Sequence, residues 1–312
     1  MIKKVIITGC FGHIGSKLVE KLSKTKLNYK IILIDNFETE RYSSIFVLKK
    51  NKNIKFYNIN LYNSSIPLHI GKIDAVIHFA AKTNAEQSID KKMNYIDNNY
   101  KITKKIVNFC IKNKSKLLYI SSTSVYGSNS KIVDESCPIN LLNPQSPYAI
   151  SKIKEESYIS NKSKKLVYVI YRFGTIFGYS QGMRFHTAVN KFCFQAAINQ
   201  PITVWKTALN QKRPYLCLDD AVRLIEFTLK NKIFDNQIYN AVTLNTSVKS
   251  IINIIKKSVK RIKINYINSK IMNQLSYNVS NTKIKNKGFI FKGNINKSIN
   301  KTLNNISKFN YK

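Results

Sequence analysis

Carboxylates are scarce in this chain of 312 residues: 16 Asp and Glu stand against 52 Lys and Arg, a formal charge of +36. Asp235 is the last acid, and residues 236–312 are dominated by Lys, Asn, Ile and Ser with a few aromatics. Cysteine is sparse too. The five thiols (10, 110, 137, 193, 217) are odd in number, scattered and free of C-x-x-C pairs, which excludes a disulfide frame and a zinc knuckle. Four histidines at 13, 69, 78 and 186 form no ligand spacing with Asp or Glu, so no metal centre is expected. No apolar run approaches the ~20 residues needed to span a bilayer, and Met1 to Thr8 lacks the apolar core of a signal peptide. The expectation is a cytoplasmic protein without a membrane partner.

An excess of lysine can mark a nucleic-acid surface, because ammonium groups displace counterions from phosphates without regard to sequence. Here Lys, Asn, Ile, Tyr and Phe are enriched throughout, the pattern of AT-rich codons. Coding bias is the preferred reading, with the charge still helping to attract anionic substrates.

What is present begins at once. Lys3 to Ile7 reads KKVII, a β-branched run; Thr8 to Gly15 reads TGCFGHIG, with glycines at 9, 12 and 15; Ile14, Leu18, Val19 and Leu22 then follow helical spacing. A strand, a tight turn and a helix in this order bring a diphosphate to the helix N-terminus, where N–H groups and the macrodipole favour negative charge. The second strand, KIILI at 30–34, ends on Asp35, about 20 residues past the turn, where a carboxylate accepts hydrogen bonds from the adenine-ribose hydroxyls. The same charge repels a ribose 2′-phosphate, which favours NAD over NADP.

Further strands are expected at 54–59 (IKFYNI), 73–78 (IDAVIH), 117–122 (LLYISS) and 166–172 (LVYVIYR), with helices at 93–112 and 146–160 between them. This βαβα order defines the expected fold class: α/β, a doubly wound parallel Rossmann sheet with a smaller C-terminal lobe. Residues 1–175 form the expected NAD-binding domain, and 176–312 the main substrate-binding lobe. In the latter, a helix is expected at 187–198, a strand at 201–205 and a helix at 221–230 capped by Asp219 or Asp220. The stretch 213–234 is expected to pack back onto the first domain, Val248 to Val259 to be helical and Gly288 to lie near a turn.

Ser121, Ser122, Thr123 and Ser124 place hydroxyls at the carboxyl edge of the fifth strand. Some 26 residues after Ser122, Tyr148 and Lys152 stand at i and i+4 of a helix and so face the same way. An ammonium beside a phenol stabilises the phenolate and lowers its pKa from ~10 towards neutrality. The product is a base suited to taking a proton from an alcohol while hydride leaves to NAD.

Taken together, TGCFGHIG, Asp35, HFAA at 78–81, Asn99, SSTSVYG at 121–127 and PYAISK at 147–152 resemble the extended short-chain dehydrogenase/reductase family, in its nucleotide-sugar epimerase and dehydratase group. The resemblance implies three catalytic residues: Ser122 holding the sugar oxygen, Tyr148 as base and Lys152 on the nicotinamide ribose. Matched to the motifs, the cofactor would be held by Gly9, Phe11, Gly12, His13, Ile14 and Gly15 of the turn and by Asp35 and Asn36. Asn60, Leu61, Phe79, Ala80, Ala81, Asn99, Tyr148 and Lys152 complete that set. The substrate would meet Thr83, Ser122, Tyr148, Thr175, Arg184, Asn190 and Arg213, the last clamping the diphosphate with its guanidinium fork. Phe185, Phe192 and Phe194 are expected to pack, and His186 shares the loop of Arg184.

Several positions depart from the family pattern. Asn60 replaces an Asp, Thr175 an Asn, and Lys206 to Leu209 a glycine-containing turn. Dehydratases of the group carry Asp-Glu after the catalytic hydroxyl, and decarboxylases a Glu two residues before the tyrosine of VYG; here Thr123 and Ser124 stand there. Loss of water needs an added acid and base, whereas epimerisation does not. The expected function is therefore NAD-dependent epimerisation of a nucleotide sugar, at C4 of a UDP-hexose or UDP-uronic acid, through a 4-keto intermediate. The alternatives are a dehydratase, decarboxylase or reductase of the same group and, in another class, an idle scaffold binding nucleic acid. The resemblance also implies a homodimer through the helices at 93–112 and 146–160.

Overall fold

Alternating Ile and Val build the central sheet. The computed structural model describes residues 3–24, 29–48, 51–85, 87–90, 92–127, 132–259, 261–268 and 276–307. Seven strands, β1 (Lys4–Thr8), β2 (Lys30–Asp35), β3 (Ile54–Asn58), β4 (Ala75–His78), β5 (Lys116–Ser122), β6 (Tyr168–Phe173) and β7 (Gln237–Ala241), form one sheet. Their order is β7-β6-β5-β4-β1-β2-β3, and every neighbouring pair is parallel. Side chains alternate between faces along each strand. Val5 and Ile7 therefore enter one core with Leu33, Ile77 and Leu118, while Ile6 enters the other with Ile32, Val76 and Leu117. Apolar cover on both faces is what an all-parallel sheet requires.

The chain runs from β1 outward to β3 and then returns to place β4 on the other side of β1. That reversal opens a crevice at the carboxyl ends of β1 and β4, the location where doubly wound sheets bind ligands. The last residues of these two strands, Thr8 and His78, are buried, and their side chains meet at 2.7 Å.

A second sheet joins Thr175–Phe177, Lys212–Cys217 and Leu244–Ser247, the middle strand parallel to the first and antiparallel to the last. Phe177, Phe192, Ile202, Tyr215, Ile251 and Leu303 form the core of this part. The helix Leu218–Asn231 turns back to the large sheet, adding Leu218, Val222, Ile225 and Leu229 to the core that holds Leu18 and Leu22. Neither acid caps it, contrary to the expectation. The N-cap is Cys217, and Asp220 lies inside the first turn, accepting from the Lys292 and Gly293 N–H groups at 2.9 Å each and from Thr243 Oγ1 at 2.7 Å. The carboxylate is thus committed to a distant loop. Residues 269–275 and 308–312 of the expected lobe lie outside the described residues. Among the described residues, no helix is long and apolar enough to cross a membrane, and no group of three or more His, Cys, Asp and Glu could hold a metal ion.

Candidate active site

A cleft of about 830 Å³ runs from the glycine turn, across the ends of β1, β4 and β5, to the second sheet. At its first end, Gly9 takes φ +64°, and a Cβ there would stand 2.7 Å from the Ala80 nitrogen. A Cβ on Gly15 would stand 2.5 Å from the Gly9 oxygen. Side chains at these positions would push the turn off the sheet, so the glycines set how closely the helix His13–Lys24 approaches. Asp35 then locks the turn: Oδ2 accepts from the Phe11 N–H and Oδ1 from the Phe37 N–H, each at 2.9 Å. Each carboxylate oxygen keeps a further lone pair, and Asp35 lines the cleft. A dinucleotide fits: Gly12 is open on the cleft side, the helix presents the unpaired N–H groups of its first turn, and an acceptor waits beside β2.

The chemical centre lies where β5 ends. Ser122 closes the strand and caps the short turn Thr123–Tyr126, its hydroxyl accepting from the Ser124 N–H at 3.2 Å and from Ser124 Oγ at 2.9 Å. Opposite stands the helix Pro147–Ser160, started by Pro147 and by Ser146 Oγ, which accepts from the Ala149 N–H at 3.2 Å. This cap fixes Tyr148 in the first turn, facing the cleft. One turn on, Lys152 is buried, its Nζ 5.9 Å from the centre of the Tyr148 ring, as the i, i+4 spacing predicts. The ammonium donates to Tyr119 OH at 2.8 Å and to the Ile120 carbonyl at 3.0 Å.

The opposite wall is cationic. Loop 178–186 is tied to the glycine-turn helix, with Ser180 Oγ donating to the His13 carbonyl at 2.9 Å and the Gly182 N–H to Ser16 Oγ at 3.1 Å. It delivers Arg184, which donates to Thr83 Oγ1, while its Nε is buried with no partner. Burial lowers the pKa of Arg184 and the nearby Tyr148 and Tyr95 phenols oppose that shift. Arg41 is lowered to about 10 by burial and then by Arg184. His186 is pushed down to about 3 by burial, then by Arg184 and Arg41, so it is neutral. His13, also held at about 3, uses Nε2 to meet the Gly178 carbonyl at 2.8 Å. With Arg213 and Lys191 on the same lining, and Asp35 and Glu38 as the acids among its described residues, the cleft suits a polyanion.

The structure gathers most of the residues singled out from sequence. Gly9, Gly12, His13, Ile14, Gly15, Asp35, Asn36, Asn60, Leu61, Phe79, Ala80, Ala81, Thr83, Ser122, Tyr148, Lys152, Thr175, Arg184 and Arg213 line this one cleft. Phe11, Asn99 and Asn190 do not. Phe11 is buried in a stack with Phe37 at 5.0 Å, and only its N–H serves the turn. Asn99 is buried, accepting from the Lys82 N–H at 2.8 Å and donating to Ser151 Oγ at 3.2 Å, so it braces the loop after β4. Asn190 is corrected from substrate contact to loop brace: its amide accepts from the Gly178 N–H at 3.2 Å and donates to the Arg184 carbonyl at 3.1 Å. Sequence reasoning missed Arg41, Trp205, Tyr215 and Tyr277, all on the lining. For Arg41 a signal existed. The chain has 46 Lys and only six Arg, and three of the six (41, 184, 213) line the cleft. Where codon bias favours lysine, a retained arginine marks a need for its fork.

A doubly wound parallel sheet with a glycine turn and an acid at the end of β2 beside one crevice defines the Rossmann class of dinucleotide-binding folds. A model of the NAD dependent epimerase/dehydratase family matches residues 5–241, and the chain belongs to that family. It is 32% identical over 255 residues to a dTDP-D-glucose 4,6-dehydratase of Dictyostelium discoideum, covering 77% of this chain and 58% of the relative. A putative UDP-glucose 4-epimerase of Methanocaldococcus jannaschii is 28% identical over 263 residues, 82% of each chain. Among solved structures, a mutant UDP-glucuronic acid 4-epimerase from Bacillus cereus, in complex with UDP-4-deoxy-4-fluoro-glucuronic acid and NAD, superposes with a TM-score of 0.87. It is 25% identical, with 98% of this chain and 99% of that one covered. The cofactor is NAD.

Proposed function

We propose that this protein is an NAD-dependent epimerase that inverts C4 of a nucleotide-linked sugar, a UDP-hexose or UDP-uronic acid, through a 4-keto intermediate. One observation carries the reading: the described lining of the cleft holds two carboxylates, Asp35 and Glu38, and neither is at the end where Ser122, Tyr148 and Lys152 converge. Water elimination needs an acid and a base besides the phenol. The positions beside Ser122 are filled by hydroxyls instead, Thr123 Oγ1 donating to the Phe173 carbonyl at 3.4 Å and Ser124 Oγ to Ser122.

In this reading Tyr148 takes the C4 hydroxyl proton, and Lys152 and Arg184 stabilise the phenolate from two sides. Ser122 holds the C4 oxygen and Arg213 the diphosphate, which anchors the nucleotide while the flat keto sugar turns. When bound, NAD supplies a reversible two-electron acceptor at its nicotinamide ring. Tyr148 returns the proton on the second pass, so nothing is consumed. A dehydratase is the second reading, favoured by the Dictyostelium relative. Incubating purified protein with UDP-, dTDP- and GDP-sugars and resolving the products by chromatography and NMR decides between them. An isomer of unchanged mass is expected; a product lighter by one water would replace this proposal with the second reading.

A further inference from the structure

Two adjacent carboxylates on the helix Pro147–Ser160 are buried, and they are used differently. Glu156 is held by a guanidinium: Arg172 Nε donates to Oε1 at 3.0 Å and its terminal nitrogen to Oε2 at 2.7 Å. Glu155 has no arginine. Its Oε2 accepts from the Tyr119 phenol and from Thr103 Oγ1, each at 2.6 Å, and Oε1 has no partner. The same Tyr119 oxygen accepts from the Lys152 ammonium at 2.8 Å. Tyr119 thus stands as a link between cation and anion, which are 3.8 Å apart, and the ammonium lies over its ring at 4.6 Å.

Lys152 is 3% exposed and Glu155 1%. A buried ammonium without an anion gives up its proton easily, and buried lysines reach pKa values of about 5–6. A neutral amine no longer stabilises the Tyr148 phenolate. Among the described residues, Glu155 is the one carboxylate within ion-pair distance of Lys152. We propose that Glu155 is a positioning residue that, through Tyr119, keeps Lys152 charged and aimed at Tyr148. This rests on the reading of Tyr148 as the base.

The groups around the link fit that role. Burial, then the charge of Glu155, push the Tyr119 phenol well up, with Tyr148 and Glu156 adding to the shift, so it remains a donor. Behind it on β4, His78 is pushed down to about 3 by burial and then by Lys152. It meets Thr103 Oγ1 at 3.3 Å as a neutral ring. The chain of hydrogen bonds therefore ends in uncharged groups, leaving Glu155 to balance the ammonium.

Glu155→Gln keeps the shape and removes the charge; Tyr119→Phe keeps both charges and removes the link; Glu155→Asp restores charge at shorter reach. The probe is the ultraviolet titration of the Tyr148 phenol, taken for each form as the difference from the same form carrying Tyr148→Phe. Glu155→Gln is expected to move this titration upward by about one unit and to lower turnover about tenfold on the acid limb of the pH profile. Tyr119→Phe should shift it the same way by less, and Glu155→Asp should largely restore it. An unmoved titration, or one moved downward because Glu155 merely repels the phenolate, overturns the proposal. If Glu155→Gln does not fold, Tyr119→Phe decides alone. The titration uses no sugar, so it is read whatever the substrate; retention of turnover by Tyr148→Phe alone would instead remove the functional reading.

Discussion

At the glycine-turn end of the cleft the two carboxylates are engaged by the protein itself, whereas further along the lining several cationic and hydroxyl side chains leave polar atoms open. Asp35 is engaged by two backbone N–H groups, and Glu38 pairs with Lys82 at 2.9 Å. Of eight buried side-chain atoms without a partner among the described residues, six belong to residues on the cleft lining: His13 at the glycine turn, Ser121 at the end of β5, and Arg184, Thr187, Arg213 and Tyr215. An unpartnered buried polar atom costs about 1–3 kcal/mol. Such a cost gathered along one cleft is what a site accepts when a ligand supplies the partners. At the first end the carboxylates are already committed within the protein; along the rest of the lining the open polar atoms are left for a ligand to meet.

The sharpest way to break this contrast is at the centre. Tyr148→Phe is expected to lower turnover by roughly 10²- to 10⁴-fold while co-purified NAD, read by absorbance after denaturation, is unchanged. Loss of NAD with turnover would show that the two ends are not separable. At the glycine-turn end, Gly9→Ala is expected to cost about 1–3 kcal/mol in denaturant unfolding and to shed NAD, because it strains φ +64° and drives a Cβ against Ala80. On the open lining, Arg213→Ala should raise KM roughly 10- to 100-fold, with thermal stability held or improved because an unsatisfied group is removed. A drop in stability there would mean that this lining is structural.

A last test, of the fold and not of either end of the cleft, concerns pH. His13 and His78 are held at about 3, below the ordinary 6.5, first by burial and then by Arg184 and Lys152 respectively. Unfolded, each ring binds a proton below about 6.5; folded, neither does until about 3. Their contribution is whole above the unfolded value and is lost as pH falls towards the folded one. The thermal midpoint should decline from pH 7 to pH 4, and His78→Gln should flatten that decline.

What was legible in the sequence was local. The glycine turn and Asp35 announce themselves because one strand–turn–helix needs glycines where backbones touch and an acid where β2 ends. Tyr148 and Lys152 were equally plain, being one helical turn apart. Asn190 was misplaced since its neighbour Arg184 faces the cleft, and only the fold shows Asn190 turned inward to hold the loop. Tyr277 could not be foreseen at all: it reaches the cleft lining, with Thr123 and Arg213, from the lysine-rich tail. Capping by Asp219 or Asp220 fails because the helix starts earlier, at Leu218 with Cys217 as N-cap, and a loop 72 or 73 residues away claims the Asp220 carboxylate.

Epimerisation and dehydration separate most cleanly when the reaction is run in D2O and the product sugar is weighed by mass spectrometry. Inversion at C4 moves only an exchangeable hydroxyl proton and returns the same carbon-bound hydrogen. An isomer with no deuterium on carbon is therefore expected. A product lighter by one water and carrying solvent deuterium on carbon would show that an acid and a base act near C5 and C6, and would contradict the reading drawn from described residues that hold no carboxylate beside Ser122, Tyr148 and Lys152 on the cleft lining.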